Sequence, residues 1–293
     1  MSTPPPIRKV VFPAAGLGTR ILPATTVLPK ELLPIVDKPI IQYGVEEALA
    51  AGLRDVILVC SPGKTMVEEH LDRHPVLEEA LERRGKTTLL DGLREAVQQI
   101  ELSTVFQDEP LGLGHAVLVS RELVDNEPFA VILSDDVIDA APNALEQMLA
   151  VYQEVGGPVL LVERVPHQAV GRYGVIAGTP IRDGLYRVED LVEKPPPDAA
   201  PSDLAIIGRY LLTPDVYTAL AKTGEGSGGE IQLTDGLRRL LEERPIHAVE
   251  LSGIRQDAGN KLGYLQAILY FAQKHPEIGD DATDLIRSMV SNR

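Results

Sequence analysis

Tryptophan is absent, and aromatic residues make up only 4% of the chain. The core must therefore rest on Val, Ile, Leu and Ala. Cysteine occurs once, at Cys60, so an intrachain disulfide is excluded. Within Val56-Ile57-Leu58-Val59 that thiol reads as a small buried hydrophobe, compatible with a reducing compartment. Cations are scarce: 28 Lys and Arg stand against 43 Asp and Glu, for a net charge of -15. Non-specific binding of nucleic acid needs a basic face, so no nucleic-acid partner is expected. A small anionic ligand is not excluded, because a few cations focused in a cleft override net repulsion at short range. No apolar run reaches membrane-spanning length. The amino-terminal string MSTPPPIRK has no apolar signal-peptide region. The expectation is a cytoplasmic protein with no membrane partner.

What is present is an alternation of strand-like and helix-like segments. Lys9 to Phe12, Asp55 to Cys60, Ser103 to Gln107 and Phe129 to Leu133 read as strands. Helical patterns fall at Ile40–Ala51, Glu68–Leu71, Val76–Arg84, Leu89–Ile100, Gly114–Leu123 and Asn143–Val155. This order predicts an α/β fold with a Rossmann-like, doubly wound, mostly parallel mixed sheet. The second half adds strands at Val159–Val165, Tyr173–Ile176, Leu185–Val192, Ala205–Leu212 and Ile246–Leu251. Its helices are expected at Pro214–Leu220, Gln232–Leu241, Leu262–Lys274 and Asp281–Val290. At 293 residues the chain fits one large α/β domain. A subdomain seam is expected near Val155-Gly156-Gly157-Pro158, with a nucleotide-binding part over about 8–155 and a sugar-binding and helical part over about 156–293.

Ligands of such sheets bind outside the carboxyl ends of strands. Three polar features fall there: the loop AAGLGTR at 14–20, Gln107, and Asp135-Asp136. The loop is not a dinucleotide fingerprint, since Ile21 stands where a third glycine is needed, and no Walker A string occurs. Gly16 and Gly18 still permit close backbone approach to phosphate oxygens, Arg20 offers a bidentate donor and Lys30 a point charge. From glycine spacing alone, an ordinary strand-to-helix turn with solvated cations is the better reading.

The full wording changes that balance. GLGTR, PKELLP and DKPII resemble the signature of sugar-1-phosphate nucleotidyltransferases. GLGHAV (112–117), VEKP (192–195), LAIIGRYLL (204–212), GEIQLTD (229–235) and DAGNKLGY (257–264) resemble the UTP–glucose-1-phosphate uridylyltransferases in order, from about Lys9 to about His275. The resemblance implies transfer of UMP from UTP to glucose 1-phosphate by direct in-line attack, with UTP and glucose 1-phosphate as small-molecule partners and Mg²⁺ as cofactor. It also implies a homo-oligomer, dimer or tetramer.

It further implies roles residue by residue. Ala14, Ala15 and Gly16 match backbone that meets base and ribose. Gly18, Thr19 and Arg20 match the part that wraps the triphosphate, and Lys30 the lysine that bridges phosphates. Glu31 matches a nucleotide-contacting position. Gln107 and Gly112 match the pair reading the pyrimidine edge. Asp136, Gly174 and Glu193 match positions holding sugar hydroxyls, and Lys194 the lysine gripping the sugar phosphate. Asp135 and Asp257 match the two carboxylates that hold Mg²⁺; two suffice because Mg²⁺ keeps waters and phosphate oxygens as its other ligands. Taken alone, each aspartate reads as a polar strand end or turn residue.

Two positions depart from the family pattern. Thr26 stands where a lysine is common, which removes a cation near the phosphates. Ser134 stands where glycine or proline usually precedes the metal aspartate, and is tolerated there if its φ is ordinary. The six histidines show no metal spacing; His70 and His74 read as a solvated helix end, and His115 lies beside the base-reading loop. Gly224–Gly229 reads as a disordered loop or a mobile lid. Alternatives to UTP transfer are a dTTP-preferring relative, because one methyl group is weakly discriminated, and a catalytically silent sugar-nucleotide binder.

Overall fold

Val10, Val11 and Phe12 are fully buried in strand β1 (Lys9–Pro13). The structure is a computed structural model that describes residues 3–86, 88, 89, 91, 97–226 and 229–291. Side chains alternate across a strand. Val10 and Phe12 therefore join the apolar cluster on one face of the sheet, and Val11 joins the cluster on the other. Strand β4 (Asp55–Cys60) repeats the pattern, with Val56 and Leu58 on one face and Ile57 and Val59 on the other. Burial on both faces explains why these strands read as continuous apolar runs.

The remaining strands are β2 (Pro34–Ile35), β3 (Lys38–Pro39), β5 (Glu101–Phe106), β6 (Phe129–Ile132), β7 (Asp136–Asp139), β8 (Val159–Arg164), β9 (Gly174–Arg182), β10 (Leu185–Glu193), β11 (Leu204–Leu212), β12 (His247–Glu250) and β13 (Ile254–Asp257). Nine of them form one sheet in the order β5-β4-β1-β6-β11-β8-β12-β10-β9. The pairs within β5-β4-β1-β6 are parallel, as is β8 with β12. All the other neighbours in that sheet are antiparallel. Parallel pairing thus belongs mainly to the amino-terminal half. The difference has a local cause: β9 and β10 are joined by the tight Asp183-Gly184 turn rather than by a helical crossover, and only a crossover makes neighbours parallel.

The helices are α1 (Ile40–Ala50), α2 (Met66–His70), α3 (Pro75–Arg83), α4 (Leu113–Val119), α5 (Arg121–Val124), α6 (Ala144–Val155), α7 (Asp215–Ala221), α8 (Leu233–Leu241), α9 (Lys261–Ala272) and α10 (Gly279–Ser291). The helix expected over Gly114–Leu123 is two short ones that meet at Ser120. α6 starts at a capping box, where Asn143 accepts from the Glu146 N–H and Glu146 accepts from the Asn143 N–H, and it ends at Gly156 with φ 64°. The residues Val155-Gly156-Gly157-Pro158 connect α6 to β8 within the nine-stranded sheet. The helix expected over Leu89–Ile100 and the loop Gly224–Gly229 include positions outside the described residues. Among the described residues, no helix is long and apolar enough to cross a membrane.

Two small ribbons complete the fold, β2 with β3 and β7 with β13. In the second, Asp257 is registered opposite Asp136, which brings a late segment of the chain against the end of β6.

Candidate active site

The four parallel strands β5, β4, β1 and β6 deliver their carboxyl ends to one edge of the sheet. Across that edge stand, in order, Gln107, the Ser61–Lys64 loop, the glycine loop and Asp135. A cavity of about 430 Å³ opens there. Ala15, Gly16, Gly18, Thr19, Arg20, Lys30, Gln107, Gly112 and Asp135 line it, all of them residues expected from the sequence. Ala14 and Glu31 are buried and outside its lining. Gln107 is buried; its side-chain amide donates to the Gly112 carbonyl at 3.1 Å and lies 2.9 Å from His115 Nδ1. Gly112 is required as glycine: its φ is +97°, and a Cβ would lie 2.7 Å from the Glu230 Cβ.

The opposite end of the cavity is ionic. Lys30 Nζ donates to Asp135 Oδ2 at 2.7 Å and lies 4.0 Å from Glu31. Burial favours the neutral acid of Asp135, but the Lys30 ammonium outweighs it and holds that carboxyl below its usual range. Burial likewise opposes the charge on Lys30, and the Asp135 and Glu31 carboxylates reverse that and raise its pKa. Glu31 is different. Its side chain is 1% exposed, neither carboxylate oxygen has a hydrogen-bond partner among the described residues, and burial pushes its pKa up.

Asp257 stands next to Asp135 because of the β7–β13 register and because the Ala258 N–H donates to the Asp135 carbonyl at 2.7 Å. Arg172 donates to Asp257 Oδ2 at 2.7 Å. Gly259 leaves the space between the two carboxylates: a Cβ there would lie 2.8 Å from Asp135 Oδ2 and 3.1 Å from Asp257 Oδ1. Two carboxylate oxygens facing one small gap are the donors a hard divalent cation prefers. Among the described residues, no cluster of three or more His, Cys, Asp or Glu offers a different metal site.

Asp136, Gly174, Glu193 and Lys194 form a second group, outside the cavity lining. Gly174 at the start of β9 is paired with Glu193 at the end of β10. A Cβ on Gly174 would lie 2.6 Å from Thr234 Oγ1, and that hydroxyl donates to Glu193 Oε2 at 2.7 Å. Lys194 has φ 46°, uncommon for a residue with a side chain, and its N–H donates to the Tyr173 carbonyl at 2.9 Å. Asp136 accepts from the Gly208 N–H at 3.0 Å and from Arg255. Burial pushes the Asp136 carboxyl up, and the Arg255 guanidinium opposes that rise.

A sequence model of the nucleotidyl transferase family matches residues 9–274. The chain belongs to the nucleotidyl transferase family. It is 43% identical to the UTP–glucose-1-phosphate uridylyltransferase of Bacillus subtilis (strain 168), over 97% of this chain and 98% of that protein. A crystal structure of a UDP-glucose pyrophosphorylase complexed with UDP-glucose matches with a TM-score of 0.85 at 42% identity, covering 92% of this chain and 100% of that one. A UTP-bound UGPase from Acinetobacter baumannii matches with a TM-score of 0.89 at 38% identity, covering 96% of this chain and 99% of that one. Nucleotidyltransferases generally use a divalent metal.

Several residues of this nucleotidyltransferase were not singled out by its sequence. Glu230 lines the cavity, and Arg172, Thr234 and Arg255 hold the expected carboxylates. Thr234 and Glu230 do fall inside the family-like string GEIQLTD. Arg172 and Arg255 lie in no such string and are found only by the fold. Lys64 reaches the Gly16 carbonyl from the strand end beside the glycine loop. The strand-end rule that located Gln107 applies equally to Ser61-Pro62-Gly63-Lys64. Thr26 is exposed and its hydroxyl donates to the Pro23 carbonyl at 2.6 Å. Ser134 does not have a positive φ, and its hydroxyl is buried without a partner among the described residues. Cys60 is buried, and burial, with Glu31 nearby, pushes its thiol up to about 12, away from nucleophilic use.

Proposed function

We propose that the protein transfers UMP from UTP to glucose 1-phosphate, giving UDP-glucose and pyrophosphate. The observation that carries this reading is 43% identity to a UTP–glucose-1-phosphate uridylyltransferase over 97% of the chain. The convergence of the expected nucleotide residues on one cavity supports it.

An anionic oxygen of glucose 1-phosphate attacks the α-phosphorus of UTP as the bond to the pyrophosphate oxygen breaks in line. The attacking oxygen is already deprotonated, so no general base is needed. The protein's contribution is positioning and charge neutralisation. Gln107 and Gly112 read the pyrimidine edge. Gly18, Thr19 and Arg20 wrap the triphosphate, with Arg20 toward the departing pyrophosphate. Lys30 moves from Asp135 to the phosphates. Lys194 holds the sugar phosphate, and Asp136, Gly174 and Glu193 hold sugar hydroxyls. Asp135 and Asp257 would hold Mg²⁺ across the gap left by Gly259. When bound, that ion neutralises phosphate charge.

The test is incubation with Mg²⁺, glucose 1-phosphate and, separately, UTP, dTTP, CTP, ATP or GTP, with pyrophosphate release measured and the product weighed. The expected result is release dominated by UTP with UDP-glucose as product. Preference for dTTP would keep the mechanism and change the substrate. No turnover from folded protein that still binds UDP-glucose would make it a silent relative.

A further inference from the structure

Lys64 stands at the carboxyl end of β4, beside the glycine loop and outside the cavity lining. Its Nζ donates to the Gly16 carbonyl and lies 3.4 Å from the Ala14 carbonyl. Among the described residues it makes no ion pair, so its hydrogen bonds are spent on these two backbone oxygens.

That choice of partner has a stereochemical result. In a trans peptide the C=O and the following N–H point to opposite sides, and neither peptide here is cis. Drawing the Ala14 and Gly16 carbonyls toward Lys64 therefore turns the N–H groups of Ala15 and Leu17 away from it. Ala15 and Leu17 both line the cavity. Among the described residues, no acceptor pairs with the N–H of Ala15, Gly16, Leu17 or Gly18. A row of open backbone donors on a concave wall is an anion-binding arrangement.

We infer that Lys64 is a positioning residue for the nucleotide: it fixes the planes of the Ala14–Ala15 and Gly16–Leu17 peptides so that their N–H groups meet acceptor oxygens of UTP. The inference rests on UTP being the substrate. It adds a third cation, behind the loop, to Arg20 and Lys30 in front of it.

The experiment compares wild type with Lys64→Met and Lys64→Arg. UTP binding is measured by calorimetry, and KM is measured separately for UTP and for glucose 1-phosphate. Lys64→Met is expected to weaken UTP binding and raise its KM by about 10- to 100-fold, the range for losing charge-assisted hydrogen bonds. The KM for glucose 1-phosphate is expected to stay within about 3-fold. The melting temperature is expected to move by no more than about 2 °C, as for a partly exposed side chain. Lys64→Arg keeps donors and charge and is expected to recover UTP affinity to within about 3-fold of wild type. Unchanged UTP binding in Lys64→Met would overturn the inference alone. So would equal rises in both KM values with a lowered melting temperature. Wild type that fails to bind UTP would overturn the UTP reading, and this inference with it.

Discussion

Asp135 and Asp257 each carry a cation, Lys30 on one and Arg172 on the other. Asp135→Asn removes one proposed metal ligand and the partner of Lys30 together. It is expected to lower the rate of pyrophosphate release by at least about 100-fold, without recovery at high Mg²⁺; a rate close to wild type at ordinary Mg²⁺ would place the metal elsewhere. Lys194 is exposed, so Lys194→Ala should leave the fold intact. It is expected to raise the KM for glucose 1-phosphate by about 10- to 100-fold while the KM for UTP changes little, as steady-state kinetics would show. Glu31 offers a pH test. Its pKa in the fold lies above the ordinary 4.5, so the folded state binds the extra proton. Its contribution to stability is then fully present below pH 4.5 and is lost as pH rises through the raised value. Glu31→Gln is free of that loss. Its melting temperature relative to wild type is therefore expected to be higher at pH 8 than at pH 4, and the reverse order would show that Glu31 is stably ionised.

At the scale of elements, one buried ion pair ties the site to the sheet. Arg209 in β11 is 1% exposed and donates to both oxygens of Glu47 in α1. Glu47 also accepts from the Leu145 N–H in α6, and Arg209 donates to the Leu133 carbonyl, two residues before Asp135. Removing one member leaves an unpaired buried charge. Glu47→Ala is expected to cost about 3–5 kcal/mol in a urea titration. Legibility in the sequence also varied by element. Asp55–Cys60 has the bounds the apolar run implied, because a strand buried on both faces writes its limits in hydrophobicity alone. Tyr173–Ile176 proved to be the start of a strand reaching Arg182, since its outer half is exposed and carries no such mark. β7 and β13 were missed altogether. Each has four residues, with charged Asp136, Asp139 and Asp257 at their ends, and their pairing is set by register with a distant segment rather than by a local period. The site divided in the same way. The glycine loop, Lys30 and Asp257 were legible through family-like strings, and Gln107 and Asp135 through the strand-end rule, which also covers the segment of Lys64; Arg172 and Arg255 acquire meaning only from what lies beside them in space.

At the scale of the molecule, a chain of net charge -15 concentrates Arg20, Lys30 and Lys64 at one sheet edge, which under the proposed function would steer an anionic nucleotide against the overall field. Leu262, Leu265 and Leu269 of α9 and Leu285 and Met289 of α10 are exposed. We propose that a second copy of the chain covers this surface. Light scattering is expected to give a multiple of the 31.8 kDa chain mass, and Leu265→Asp with Leu269→Asp to shift it toward the single chain; a monomeric wild type would discard the idea. The β7–β13 ribbon has one more consequence, for the life of the chain before it is finished. A nascent polypeptide that has emerged only as far as β12 already owns the glycine loop, Lys30 and Asp135, but not Asp257. Without Asp257 the proposed metal pair is half-built, and Asp135 is left to Lys30 alone. On the proposed two-aspartate metal site, turnover waits for almost the whole chain, and a translation product that ends at β12 is expected to show none.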